Sequence, residues 1–121
     1  MEDPSPSLKE LTKRLTGFRD ERDWKQFHSL KNLILSLSLE SAELLELTQW
    51  KSDEEIEQEI SDPAFRERLG EECADILLYL LLIAERADID LARAGAGKIT
   101  LNEAKYPVEK ARGNARKYTD L

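Results

Sequence analysis

Leu8, Leu11, Leu15 and Phe18 recur at intervals of three and four residues, which places them on one stripe of a helix. Ser7 and Glu10 have the spacing of a capping box, so a first helix is predicted from Leu8 to about Trp24. Ser29 can cap a second helix from Leu30 to Trp50, and Ser52 with Glu55 repeats the box ahead of a short third. Asp62 followed by Pro63 marks another start, because proline fits the first helical position, where no N–H is needed. This main core helix should run to about Ala87. Asp90 caps a fifth helix toward Tyr106, weakened by Gly95 and Gly97, and Pro107 stops it. Residues 1–6 read as disordered and 107–121 as an irregular basic tail. The pattern predicts an all-α fold, a single domain over residues 1–121 built as a bundle of about four to five helices.

In the second helix, Leu33, Ile34, Leu35, Leu37, Leu39, Leu44, Leu45 and Leu47 point to every side of the wheel, as in a largely buried helix. The fourth is nearly continuously apolar from Ile76 to Ala84. A five-helix monomer cannot cover both, so a homo-oligomer is expected to complete the bundle. These same two helices carry acids, Glu40 with Glu43 and Glu72 with Asp75. Each pair is three residues apart and so projects from one helical face. Four neighbouring carboxylates repel unless protonated or neutralised, and burying even one costs roughly several kcal/mol. Oxygen ligands without His or Cys suit Mg²⁺, with Mn²⁺ as the second choice. The competing reading leaves these acids in water, paired with Lys or Arg; their place on the most apolar helices favours the metal.

Net charge is −7, which argues against binding a nucleic-acid polymer through its phosphates. The charge is uneven: residues 98–121 carry +3 and the remainder −10, leaving room for a small anion near the tail. No apolar run is long enough to cross a bilayer, and the acidic opening MEDPSPSLKE is unlike a secretory signal. The lone Cys73 reads as a small core residue, and a reducing cytoplasm fits. Gly97 and Lys98 do not form a P-loop, since Ala92 and Ile99 replace the required glycine and hydroxyl residue. The single histidine, His28, is assigned no proton transfer. Trp50, seven residues after Glu43, and Tyr79, four after Asp75, fall on the stripes of the acid pairs; on spacing alone these aromatics, like Trp24, read as core or interface packing.

The motifs ESAE (Glu40 to Glu43) and ECAD (Glu72 to Asp75), with the strings RDWKQFHSLKNL, LTQWKSD, KYPVEKARG and KYTDL, cover nearly the whole chain. Together they resemble the MazG-like all-α nucleoside triphosphate pyrophosphohydrolases, in the branch that includes the dCTP pyrophosphatases. That resemblance implies Mg²⁺-dependent hydrolysis of dCTP or a related dNTP to monophosphate and pyrophosphate, as nucleotide-pool housekeeping. It implies Glu40, Glu43, Glu72 and Asp75 as metal-binding and catalytic residues, and a homotetramer assembled as a dimer of dimers. It further implies nucleotide contacts from Trp24, Trp50, Tyr79, Lys98 and Asn102, to which cations of the basic tail such as Arg112 and Lys117 are added for the phosphates. Leu39 and Ala42 stand where that branch has glycines, and Leu15 where some members have a histidine near the base. Two rival readings are a related hydrolase of another nucleotide such as dUTP, and a non-catalytic helical interaction module.

Overall fold

Each of the five helix starts marked by side-chain spacing is capped as expected in the computed structural model, which describes residues 4–121. The hydroxyls of Ser7, Ser29 and Ser52 accept from the backbone N–H groups of Glu10, Asn32 and Glu55 at 3.1, 3.1 and 3.2 Å. The carboxylates of Asp62 and Asp90 accept from Ala64 and Arg93 at 3.1 and 3.0 Å. The helices that follow are α1 (Leu8–Glu21), α2 (Leu30–Glu46), α3 (Asp53–Glu59), α4 (Pro63–Arg86) and α5 (Leu91–Lys105). A further one-turn helix, α6 (Val108–Ala111), completes an all-α fold without strands among the described residues.

The ends of α1 and α2 fall short of the sequence expectation. α1 stops at Glu21, and Asp23 turns into the left-handed region with φ 54°. α2 stops at Glu46, and turns carry the chain to Trp50, itself left-handed at φ 65°. That conformation costs a residue with a Cβ roughly 1–2 kcal/mol, so neither Trp24 nor Trp50 continues its helix. Gly95 and Gly97, in contrast, leave α5 unbroken. The tail is not wholly irregular, since α6 and a 3₁₀ turn at Tyr118–Asp120 lie within it. Of the residues expected to be disordered, 1–3 lie outside the described range, and 4–6 have no regular structure and are exposed.

The chain forms two compact units, Met1–Asp88 and Ile89–Leu121. In the first, α2 packs along α4, and α1 packs on α4 as well. The core is Leu33, Phe65, Leu81, Leu82 and Ala84, concentrated toward the C-terminal half of α4. Arg19 of α1 is buried with them; its Nε donates to Asp20 at 2.8 Å and its Nη1 to Glu85 at 3.1 Å. Within the single chain α2 is left largely uncovered, as a five-helix monomer would leave it. Only Leu33 is buried, while Leu35, Leu39 and Leu45 remain 57–69 % exposed, because the unit supplies neighbours for one side of the helix alone. Each such leucine forgoes roughly 1.5–3 kcal/mol of burial. Cys73 is likewise exposed rather than part of the core. In the second unit the ring of Tyr118 packs edge-on against Tyr106 at 6.1 Å, with Lys105 Nζ 4.9 Å from its centre, which ties the final turn to the end of α5.

Candidate active site

The packing of α2 along α4 brings the two acid pairs together. Glu40, Glu43 and Glu72 each place a carboxylate oxygen within 4.8 Å of the others. Glu40 and Glu72 are half-buried, and one oxygen of each (Oε2) is shielded from water with no hydrogen-bond partner. Glu43 and Asp75 are exposed, so the four acids are not uniformly buried. The Glu40 carboxyl is held above its ordinary range, first by desolvation and then by Glu43, with the charges of Asp75 and Glu72 adding to it. Desolvation, then Glu43 and Asp75, does the same to Glu72. No Lys, Arg or His is ion-paired to any of these four acids among the described residues.

A hard divalent cation fits this donor set. It would take up the two orphaned oxygens, which otherwise carry the full penalty of an unsatisfied buried acceptor, and it would offset the mutual repulsion. Asp75 falls outside the closest triad, although its charge acts on both half-buried acids.

Asp75 is instead one wall of a cavity of about 150 Å³ within the first unit, together with Leu15, Phe18, Trp24, Leu78 and Tyr79. Tyr79 follows Asp75 by one helical turn on α4, as the stripe argument requires. Trp24 reaches the cavity from the turn after α1, where its ring meets Phe18 edge-on at 5.6 Å. The cavity thus offers flat apolar walls beside a carboxylate, a combination suited to a base or sugar. Leu15, which occupies the position of a histidine in the resemblance, makes its side of the wall apolar.

Phe18, Arg19 and His28 also line the cavity and were not singled out as site residues. The apolar stripe of α1 was the available signal for Phe18, since Leu15 and Phe18 belong to it. Nothing in the sequence marks His28, whose Nδ1 is buried without a partner. Trp50 is brought to none of these groups: it lies outside α2 and is 93 % exposed, so it does not share a helical stripe with Glu43. Lys98 and Asn102 are exposed, one turn apart on α5 of the second unit, and Arg112 and Lys117 follow in the same unit.

An all-α fold that sets an E-x-x-E pair against an E-x-x-D pair on packed helices defines the MazG-like class, and this chain belongs to the MazG-like family, whose model matches residues 35–121. Its relatives include dCTP pyrophosphatase 1 of Rattus norvegicus, 46% identical over 118 residues that cover 98% of this chain and 69% of the relative. The Homo sapiens protein of the same name is 42% identical over 118 residues, with the same shares. Among solved structures, a pyrophosphatase from Archaeoglobus fulgidus matches with a TM-score of 0.77 at 38% identity, covering 88% of this chain and 98% of that one.

Proposed function

We propose that this chain hydrolyses dCTP or a closely related deoxynucleoside triphosphate to the monophosphate and pyrophosphate, in nucleotide-pool housekeeping. The observation that carries the reading is the set of partnerless carboxylates on α2 and α4, with Asp75 shared between that set and an aromatic cavity. The relatives named dCTP pyrophosphatase 1 support the choice of substrate. Glu40, Glu43, Glu72 and Asp75 would hold Mg²⁺, with Mn²⁺ as the alternative; when bound it supplies charge neutralisation on the phosphates and a more acidic water. One of these four carboxylates, or a nearby acid, accepts the proton of the attacking water. Trp24 and Tyr79 wall the base, and Asp75 between them and the acid cluster fixes where the nucleotide's reacting end lies. Trp50 closes on the base from outside the cavity.

Lys98 and Asn102 are the family-matched residues for the nucleotide's polar groups, and Arg112 and Lys117 of the basic tail supply charge suited to its phosphates. The two compact units work as one domain, a view supported by the family match, which runs through both. The exposed leucines of α2 are covered by further copies of the chain in a homotetramer built as a dimer of dimers. No helix among the described residues is long and apolar enough to cross a membrane, and the cytoplasm, where dNTP pools lie, is the proposed compartment.

A panel of nucleoside triphosphates incubated with Mg²⁺, with products resolved by ion-exchange chromatography, tests this. dCTP is expected to give dCMP and pyrophosphate, and both Glu43→Gln and Asp75→Asn to abolish turnover while the far-UV spectrum stays helical. Phosphate rather than pyrophosphate as product, or near-normal activity in either variant, would overturn the assignment.

A further inference from the structure

A second, larger cavity of about 370 Å³, also within the first unit, shares Arg19, His28 and Leu82 with the aromatic one. Its polar lining is Arg19, Lys25, His28, Ser29, Glu85 and Arg86 together with an amide side chain. Glu85 accepts from Arg19, which Asp20 also binds, so one guanidinium serves two carboxylates and the trio keeps a net −1. Lys25 and Arg86 have no ion-pair partner among the described residues. Ser29 is the cap of α2, so the positive end of a 17-residue helix opens at the same place. Both cations are exposed; together with Arg19 they stand against Glu85 and Asp20, a local net of +1 beside a helix N-terminus in a chain whose first 97 residues carry −10.

We propose that this cavity binds a small phosphate-bearing anion, at a site separate from the carboxylate cluster. Lys25 acts as a movable point charge, while the planar Arg86 guanidinium can meet two phosphate oxygens at once. The helix end adds a fixed field that favours an anion. Glu85 is held by Arg19 at 3.1 Å, and Lys25 and Arg86 outweigh the one negative charge that the Arg19–Asp20–Glu85 trio retains. The volume exceeds what one tetrahedral anion fills and lies within the ordinary range of ligand cavities. His28 lines both cavities, with its Nδ1 buried and unpartnered, so a small turn of the ring toward an oxygen would satisfy it.

Calorimetry on the full chain in excess EDTA, with inorganic pyrophosphate in one arm and dCMP in the other, tests the site without engaging the metal-dependent cluster. Wild type is expected to bind pyrophosphate, with Lys25→Ala and Arg86→Ala each weakening it about tenfold, the effect of losing a charged contact. Arg86→Lys should recover only part of the affinity that Arg86→Ala loses, since the charge stays while the two-oxygen contact goes, and Glu43→Gln should retain all of it, which separates this site from the proposed reaction. Parallel behaviour of dCMP would mark a nucleotide-borne phosphate as the ligand; binding of pyrophosphate alone would mark the inorganic anion. Absence of binding at millimolar pyrophosphate, affinity untouched by either alanine variant, or loss of binding in Glu43→Gln would overturn the proposal.

Discussion

Glu40→Gln is expected to raise the stability of the metal-free protein near neutral pH, although it removes a residue proposed to hold the metal. Glu40 stands within 4.8 Å of Glu43 and Glu72 oxygens, and one of its own is shielded and unpartnered. Two like unit charges at that separation repel by about 1 kcal/mol in water and about 3.5 kcal/mol at an effective dielectric of about 20. Glu43 is exposed, so the lower figure governs the Glu40–Glu43 pair. The sign follows from linkage. The folded-state pKa of Glu40 is raised, so its favourable contribution is fully present below the ordinary carboxylate range and is lost as pH rises through the raised value. Glutamine keeps the shape and does not ionise. Thermal unfolding followed by far-UV circular dichroism in EDTA should therefore show the variant melting roughly 3–6 °C above wild type at about pH 8, the shift that about 1 kcal/mol produces in a chain of this size. At about pH 4 the two curves should approach one another, and added Mg²⁺ should stabilise wild type more than the variant. A variant that melts lower at pH 8, or by the same margin at both pH values, would refute the reasoning.

Trp50→Ala should weaken binding of a non-hydrolysable dCTP analogue by roughly 1–3 kcal/mol, the range for base–aromatic stacking, with little change in melting because the ring is 93 % exposed; unchanged affinity by calorimetry would remove Trp50 from the site. Leu39→Lys, at a position 60 % exposed on α2, should shift the protein to smaller species in size-exclusion chromatography. An elution profile identical to wild type would exclude Leu39 from the subunit contact.

The helix starts were legible because each depends on one short-range hydrogen bond that a Ser or Asp makes with a nearby residue, and all five are made. The ends of α1 and α2 were not. α1 closes through a non-glycine residue in the left-handed region, Asp23, and α2 gives way to turns from a right-handed Leu47, so at neither end does a glycine advertise the stop. The spacing of the acids told that two pairs would converge, since one face of each helix had to meet the other. Which oxygens would be orphaned depends on how α2 lies on α4, and so Glu40 and Glu72 could not be told from Glu43 and Asp75. The apolar pattern of α2 says which residues avoid water but not what covers them, and within this chain only Leu33 of that helix is buried. Trp24 was named, but its partners Phe18 and His28 became visible only once the turn after α1 folded back on α4.

Trp50 bears on how this protein would respond to stability engineering. Its backbone is left-handed at φ 65° and its indole lies 93 % in water, so it is unfavourable both to the backbone and to the solvent. A screen of single substitutions that scores melting temperature alone would favour Trp50→Gly, which relieves roughly 1–2 kcal/mol of strain and gives up almost no packing. The same change would delete an aromatic face proposed to meet the nucleotide. Thermostabilised variants chosen without an activity screen would therefore tend to lose substrate affinity at this turn first, so position 50 is one to hold fixed.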